Sequence, residues 1–422
     1  MFLRIFSLIM VLGVAAQAQV YTIPGSYSTI QAAINGAPDG SLILVANGTY
    51  GYAQALNVAK RLYFRAAGGG GGAIISGGGT GRLLLIDSIS VDSSRSLTFD
   101  GFVFENGVAT GEYSPVLIAH ARPTFINCTF RNNRSTIKGG AVLVYGNQAR
   151  AYFLNCTFEN NTSDRTAGAV LCGGAQPGAY FKDCTFRNNH NRTAAGDNYN
   201  EGGAIHVNDG FGRAVNTLFT GNSSAYAGGA LMLLNYWTTP ESTFDLWGCR
   251  FLDNYTTPIG GVAGVPQPSE GGAVMAESHV KVDIRGCFFS NNWAAAGGAV
   301  HSYRANMVIR DSVFEGNRAV GANYLGYGGA IGITMNDAGD ADRREPELRL
   351  DNVMIRDSLA PVGGGLSAGG DFDHSKRGVL SLRNVVIENC RATTANNSYG
   401  NGGGLFFNLM QVGATNLWMI NN

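Results

Sequence analysis

Two histidines are the side chains of this chain best suited to moving protons near neutral pH. His206 and His301 each follow directly after a Gly-Gly-Ala-aliphatic tetrapeptide, and in the register of the sequence they share one outward column with Met232 and Met275 between them. A general acid or base needs a partner within hydrogen-bond reach. Because three repeat intervals separate the two rings, we interpret them as exposed, isolated histidines.

Carboxylates with the chemistry of calcium ligands occur together in one insertion. Asp337, Asp340 and Asp342 lie within six residues of each other, but their spacing is not that of an EF-hand loop and Arg343 and Arg344 follow at once. We interpret the segment as a solvated loop. No cofactor is expected, and these three aspartates are the only calcium candidates that we name.

Aromatic side chains flank the Gly-Gly-Ala segments, and flat aromatic surfaces stack on sugars and anchor protein contacts. They serve equally well to cover the edges of loops. The aromatic residues in question are Tyr199, Tyr226, Tyr236, Trp237, Tyr255, Trp293, Tyr303, Tyr324 and Tyr327. The candidate binding surface consists of His206, Met232, Met275, His301, Tyr236, Trp237, Trp293 and Tyr303. Its apolar stripe is either covered by the longer loops or free as a docking surface.

A repeat positions all of these residues. Phe-x-x-Asn is followed, after a variable gap, by Gly-Gly-Ala and an aliphatic residue, and this pair of signatures recurs along most of the chain. A fixed unit with variable insertions is typical of a stacked solenoid. The aligned anchor residues are Phe104, Phe130, Phe158, Phe186, Phe219, Phe251, Phe289, Phe314, Ile355, Ile387 and Ile420.

Each unit contains three short strands and no helical period. The residue three before the anchor is Asn, Asp or Gly, as at Asn127, Asp183 and Gly248, which predicts a left-handed bend between two strands. The Asn three after the anchor predicts a ladder of stacked amides, and Gly-Gly-Ala begins the third strand. The sequence therefore predicts an all-β fold, a right-handed single-stranded parallel β-helix of about eleven or more coils.

Seven cysteines are present, and five of them stand two residues before an anchor. That register predicts one buried column of stacked thiols, but the spacing of coils also permits a disulfide between neighbours such as Cys128 and Cys156. A row of thiols does not converge on one point as zinc ligands must, so a metal ladder is not expected.

Composition and the two ends limit the possible roles. Formal net charge is zero and 14% of residues are charged, which argues against a nucleic-acid partner. Residues 1–18 read as a signal peptide, whose apolar run is shorter than the roughly 20 residues that a membrane span needs. We expect a cap and first irregular coils at 19–96, with an N-terminal capping helix after Thr29, and the repeat array at 97–422, apparently truncated in its last coil.

Two resemblances to known families follow from these motifs. The stretch from Thr29-Ile-Gln-Ala-Ala-Ile through Ala37-Pro-Asp-Gly to Asn47-Gly-Thr-Tyr resembles the N-terminal cap of pectin-lyase-like β-helix proteins. The paired Phe-x-x-Asn and Gly-Gly-Ala signatures over residues 97–422 resemble those of the polymorphic outer membrane proteins of chlamydiae, which are autotransported adhesins. The late units depart from that pattern, because they read Gly-Gly-Gly.

The resemblance to lyases implies chemistry on the outer face of one sheet, carried by acidic calcium ligands and a basic residue. The equivalent face is the Gly-Gly-Ala strand, whose outward column and adjoining Ala and Gly column contain no carboxylate. Neither the paired Asp of polygalacturonases nor the Gln/Asp/Arg set of pectinesterases is recognisable. We therefore name no catalytic residue.

We expect a non-catalytic, adhesin-like passenger, secreted or displayed at the cell surface in association with an outer membrane. Its partner would be a glycan or a surface protein, with an anchoring or translocating domain outside this sequence. The alternative is a polysaccharide-active enzyme, most plausibly a lyase, with its site in the insertions around residues 190–201, 255–270 or 334–347.

Overall fold

The chain is described here by a computed structural model. It describes residues 19–51, 54–87, 89, 97–192, 201–235, 241–257, 269–321, 326–334, 347–369, 378–393, 402–408 and 410–422. All pairings between strands in this part of the chain are parallel, and they build three sheets that run along one axis. The fold is a right-handed parallel β-helix, as predicted.

Sheet I is the twelve-stranded sheet that carries the Gly-Gly-Ala strands. Its number of strands agrees with the predicted number of coils. Its strands are Leu56–Val58, Leu84–Asp87, Val116–Ala119, Val142–Tyr145, Val170–Gly173, Ile205–Asn208, Leu231–Asn235, Val274–Ser278, Val300–Tyr303, Ile331–Thr334, Leu366–Gly369 and Leu405–Asn408.

Sheet II is the twenty-four-stranded sheet, to which most coils contribute two strands on either side of a bend. Its strands are Val20–Ile23, Leu42–Val45, Gly48–Gly51, Tyr63–Ala66, Ala73–Ser76, Thr98–Asp100, Phe102–Glu105, Thr124–Ile126, Thr129–Arg131, Arg150–Leu154, Thr157–Glu159, Gly178–Lys182, Thr185–Arg187, Phe211–Val215, Leu218–Thr220, Ser242–Trp247, Arg250–Leu252, Val280–Arg285, Phe288–Ser290, Asn306–Arg310, Val313–Glu315, Glu347–Arg356, Gly378–Glu388 and Met410–Ile420.

Sheet III has ten strands of two residues each and closes the coil. Its strands are Val108–Ala109, Arg134–Ser135, Thr162–Ser163, His190–Asn191, Ser223–Ser224, Tyr255–Thr256, Trp293–Ala294, Arg318–Ala319, Leu359–Ala360 and Arg391–Ala392.

The predicted bend and the predicted ladder are both confirmed. Asn155 adopts φ 51° and Gly248 φ 62°, which turns the chain between the two strands of sheet II. Three residues after the anchor, the amide of Asn189 donates to Oδ1 of Asn222, and the amide of Asn222 donates to Oδ1 of Asn254, each over 2.9 Å. These amides are buried, and the same amide-to-amide bonds connect successive coils from Asn133 to Asn317 through satisfied polar groups.

Stacked rings fill the core beneath this ladder. Phe186, Phe219 and Phe251 lie nearly parallel, with centroids 5.0 and 4.7 Å apart. All seven cysteines are buried and free, so the stacked-thiol interpretation is confirmed and the disulfide alternative is wrong. The thiol of Cys156 donates instead to the carbonyl oxygen of Phe125, over 3.4 Å.

The described part of the chain contains one helix, Ile30–Gly36, which lies between the first two strands of sheet II. Thr29 caps it, because its hydroxyl oxygen accepts from the Ala32 amide over 3.0 Å. Ile30, Ala33 and Ile34 are buried against the first coils, as the capping-helix prediction required. No helix among the described residues is long and apolar enough to cross a bilayer.

Candidate functional site

The outer face of sheet I carries the predicted column of two histidines and two methionines. In the parallel register His206 pairs with Met232, Met232 with Met275, and Met275 with His301. Three steps of about 4.8 Å place the two histidines about 14 Å apart along the axis. The prediction that they share a column without touching each other is therefore confirmed.

The prediction that these histidines are exposed is wrong. His206 is 3% exposed and His301 is fully buried. The cause is the glycine pair that precedes each strand, since a Cβ on Gly202 would sit 3.1 Å from Cβ of His206, and one on Gly297 would sit 2.7 Å from Cβ of His301. The backbone before each strand thus folds back over the column, which only glycine permits at such close approach.

The apolar stripe is covered in the same way. Met232 and Met275 pack with Ala227 and Leu234 in a small cluster of their own, separate from the main core. Tyr226 and Tyr303 pack against its side. The methionines of the stripe therefore form a secondary core, so the docking interpretation is wrong for them, and their cover is the backbone of the preceding glycine pair rather than the longer loops.

Carboxylates do occur on this face, contrary to the sequence-based expectation. A line of isolated bridges joins Thr166, Glu201, Ala227, Glu270 and Ala296, one residue before each Gly-Gly pair or its equivalent. This line runs beside the histidine column and brings Glu201 and Glu270 to it. The signal in the sequence was Glu-Gly-Gly-Ala, which occurs at both positions.

Glu201 and His206 form the first acid-base pair. Oε2 of Glu201 lies 3.7 Å from Nε2 of His206, which is too long for a hydrogen bond. Both side chains are more than nine-tenths buried. Neither ring nitrogen of His206 has a hydrogen-bond partner among the described residues, and neither does Oδ1 of Asn208. Buried polar atoms without protein partners can be satisfied by a water molecule or by a ligand in the adjoining space.

A cavity of about 210 Å³ opens beside this pair. It contains two cationic side chains, Lys138 and Arg165, and Nζ of Lys138 also lies 2.8 Å from Oε2 of Glu112. The lining residues are Glu112, Ile137, Lys138, Arg165, Thr166, Glu201, His206, Asn208 and Leu234. The cavity thus combines an acid-base pair with two cations, one of which is paired with the carboxylate of Glu112.

Burial sets the protonation state of the pair. Loss of hydration, together with the charge of Glu277, raises the pKa of Glu201 to about 8. Loss of hydration and the charge of Lys138 lower the pKa of His206 to about 3. At neutral pH the carboxyl therefore holds a proton that it can donate, while the imidazole is neutral and, in the unliganded site, only weakly basic.

A second pair lies farther along the column. Oε2 of Glu270 is 3.1 Å from Nδ1 of His301 but outside hydrogen-bonding angles, so this contact is electrostatic. On the other side of the ring, Nε2 lies 2.9 Å from Oγ1 of Thr334, whose hydroxyl donates to the Tyr327 hydroxyl over 2.8 Å.

Between the two pairs, burial and the charge of Glu270 raise the pKa of Glu277 to about 7. Burial also raises the pKa of Tyr226, to which Glu270, Glu277 and Glu201 contribute in that order. The titratable groups of the two pairs are therefore electrostatically connected along the face.

The other predicted residues are distributed as follows. Tyr303 belongs to this face, where the guanidinium of Arg304 stacks on its ring at 4.6 Å. Trp293 belongs to sheet III instead, where it stacks on Tyr255 with ring centroids 5.0 Å apart. It therefore does not line the histidine column. Tyr236, Trp237, Asp337, Asp340 and Asp342 lie outside the described residues.

The three insertions named in the enzyme hypothesis are described only in part. Their described ends place Glu201, Glu270 and Thr334 on the outer face of sheet I. Within the described ranges, no group of three or more His, Cys, Asp or Glu side chains is arranged to hold a metal ion.

Comparison with known proteins supports the architecture. Residues 85–244 match the family model described as the right-handed β-helix region. No curated protein matches the chain.

Several solved structures are similar to the chain. A GH87 α-1,3-glucanase catalytic unit from Streptomyces thermodiastaticus has 14% identity and a TM-score of 0.43, over 96% of this chain and 70% of that one. The alginate lyase AlyF-OU02 has 13% identity and a TM-score of 0.40, over 94% and 84% of the two chains. The A-module of the mannuronan C-5 epimerase AlgE6 from Azotobacter vinelandii has 12% identity and a TM-score of 0.34, over 91% and 94%. No residue role in this chain follows from them.

Proposed function

We propose that this chain is a secreted, polysaccharide-active enzyme that uses Glu201 and His206 for acid-base chemistry on an acidic sugar. The observation that carries the proposal is the buried, oppositely tuned Glu201–His206 pair beside Lys138 in one cavity. Paired groups whose environments push their pKa values apart are the usual mark of an acid and a base. The signal-peptide-like residues 1–18 support export.

The reaction that suits this arrangement is β-elimination. Neutral His206 takes the proton from the carbon next to the sugar carboxylate, and the electron pair forms a carbon-carbon double bond. The glycosidic C–O bond breaks, and protonated Glu201 donates its proton to the departing oxygen. A negative charge beside the imidazole favours its protonated form, so bound substrate itself makes His206 more basic.

The cations define the class of substrate. Elimination builds negative charge on the sugar carboxylate, and a fixed cation next to that carboxylate stabilises the developing charge. Lys138 and Arg165 line the cavity and can supply this charge, whereas Ile137 and Leu234 provide apolar walls for a sugar ring. A uronate-containing polysaccharide fits these contacts better than a neutral glucan.

The test is a product-release screen of the full chain against acidic and neutral polysaccharides, with calcium and with a chelator. We expect unsaturated uronate products from an acidic polymer. Glu201→Gln and His206→Gln should each lower the rate by about 10²-fold or more, the usual contribution of a general acid or base. Glu159→Gln, in an ion pair with Arg187 on sheet II, is the matched control. Full activity in Glu201→Gln would refute the assignment.

Adhesion without catalysis is the second candidate function. The stacked and partly exposed Tyr255–Trp293 pair on sheet III favours it, because such a surface can bind a sugar face. The resemblance of the repeats to chlamydial surface passengers supports the same idea. Binding on a glycan array without product release, weakened by Trp293→Ala and unchanged in Glu201→Gln, would favour adhesion over the enzyme.

A further inference from the structure

The Glu270–His301–Thr334 arrangement places a carboxylate, an imidazole and a hydroxyl in line. Oε2 of Glu270 is 3.1 Å from Nδ1 of His301, and Nε2 is 2.9 Å from Oγ1 of Thr334. A hydroxyl within hydrogen-bond reach of an imidazole, with a carboxylate close to the other ring nitrogen, is an arrangement that can activate a nucleophile. The Glu201–His206 pair has no such hydroxyl among its described contacts.

The fold explains why these groups meet. In sheet I His301 pairs with Gly332, and Tyr303 pairs with Thr334, so His301 and Thr334 face outward on neighbouring coils. A Cβ on Gly332 would lie 3.0 Å from Cδ2 of His301. The absence of a side chain at Gly332 therefore leaves room for the imidazole to lean toward Thr334.

The side chains of this arrangement differ in their exposure to solvent. His301 is enclosed, whereas Thr334 and Tyr327 are both partly exposed. The carboxylate beside Nδ1 favours the tautomer with its proton there, which leaves Nε2 free to accept. In the resting arrangement the Thr334 hydroxyl donates to Tyr327, and rotation about the Cβ–Oγ1 bond turns that proton to Nε2 of His301.

Tyr327 supplies a donor beside the nucleophile. Its hydroxyl lies 2.8 Å from Oγ1 of Thr334, and its ring meets the His301 ring edge-on at 5.5 Å. Burial raises the pKa of Tyr327, so the phenol keeps its proton at neutral pH. A neutral phenol at this position can donate a hydrogen bond to an oxyanion formed next to Oγ1.

We propose that Thr334, His301 and Glu270 form a second site, in which the Thr334 hydroxyl attacks acyl esters such as acetylated sugars. The hydroxyl proton moves to Nε2 of His301 as Oγ1 bonds to the carbonyl carbon. Collapse of the tetrahedral intermediate releases the alcohol, which takes the proton from His301, and leaves acyl-Thr334. Water, deprotonated by His301, then releases the acid and restores Thr334.

The probe is p-nitrophenyl acetate with the full chain. We expect release of p-nitrophenol and an adduct with the mass of one acetyl group, mapped to Thr334 by peptide mass spectrometry. Thr334→Val should abolish the adduct and Thr334→Ser should retain it. His301→Gln should slow acylation by about 10²-fold or more. Glu159→Gln, in the ion pair with Arg187 on sheet II, should acylate like the wild type.

Three results would overturn the proposal. They are the absence of an adduct on the wild-type chain, an adduct on another residue, and equal acylation of Thr334→Val and wild type. Circular dichroism verifies the fold of each variant. If Thr334→Val does not fold, the adduct map of the wild type together with the His301→Gln rate decides the question.

Discussion

Glu201 should make the stability of this protein depend on pH, and replacement by Gln should remove that dependence. The side chain is almost fully buried and its pKa is raised from the ordinary 4.5 to about 8. The folded state therefore keeps a proton that the unfolded chain loses. The same property makes Glu201 suitable as a general acid, so a stability measurement tests the basis of the proposed chemistry without a known substrate.

The sign and size follow from proton linkage. Below pH 4.5 both states are protonated and the stabilisation is fully present. As pH rises, the folded protein loses about 1.4 kcal/mol of unfolding free energy per pH unit, until the folded carboxyl ionises near pH 8. The total loss is roughly 5 kcal/mol. His206 has the opposite effect, because its lowered pKa reduces the unfolding free energy as pH falls from 6.5 toward 3. Both wild type and Glu201→Gln contain His206, so this contribution cancels when the two proteins are compared.

The measurement is guanidinium unfolding of wild type and Glu201→Gln at about pH 5 and about pH 8.5, with fits of the unfolding free energy. The variant should gain roughly 4 kcal/mol relative to wild type between the two conditions. Leu234→Ala, in the wall of the same cavity, is the control, because it removes volume without removing a titrating group and its effect should not vary with pH. A difference between wild type and Glu201→Gln that is the same at both pH values would refute the reasoning.

Three further results are expected. The proposed elimination activity should fall above about pH 8 as Glu201 loses its proton, and this decrease should be absent from the rate profile of Glu201→Gln. Asn222→Ala should cost about 3–5 kcal/mol in chemical unfolding, because it leaves buried hydrogen-bonding groups of neighbouring coils without partners. Gly203→Ala should lower stability by about 3 kcal/mol or more, because the new methyl would overlap the carbonyl oxygen of Gly229. Gly51→Ala, with open space around it, should change stability little.

The coil could be derived from the sequence because its positions are periodic. An Asn, Asp or Gly three before the anchor specifies one backbone conformation, and the φ of 51° at Asn155 agrees. In the last unit the anchor is Met419 rather than the predicted Ile420, because Ile387 pairs with Met419 and Asn416 has the positive φ. Where an Asn stands three after the anchor, as at Asn161, its buried amide can reach only the backbone and the Asn of the neighbouring coils. Each local preference is weak, but its repetition in many units defines which residues of successive coils lie side by side. That register determines which side chains point into the core.

The site could not be derived in the same way. Alternation along the strand correctly predicts that the His206 side chain points away from the main core. It does not predict that a side chain on the outer face is buried there. The chain folds back over His206 at Gly202, where φ is 72°. Glycine allows this backbone conformation but does not require it, so the sequence alone did not predict the fold-back. Glu201 was consequently assigned to an insertion, although it stands one residue before the glycine pair that folds it over the strand.

The glycine pair therefore links the repeat to the chemistry. Gly203 allows the backbones of two neighbouring coils to pack directly against each other. Gly202 allows the segment before the strand to pack over His206. That close cover removes water from the histidine column, and loss of hydration is the leading cause of the pKa changes of both Glu201 and His206. Most other coils place Leu or Met at this position of the strand, and the proposed acid-base pair occurs where Glu precedes the glycine pair and His follows it. The motif that builds every coil thus supplies a dry environment, and two substitutions within one coil turn it into a candidate site.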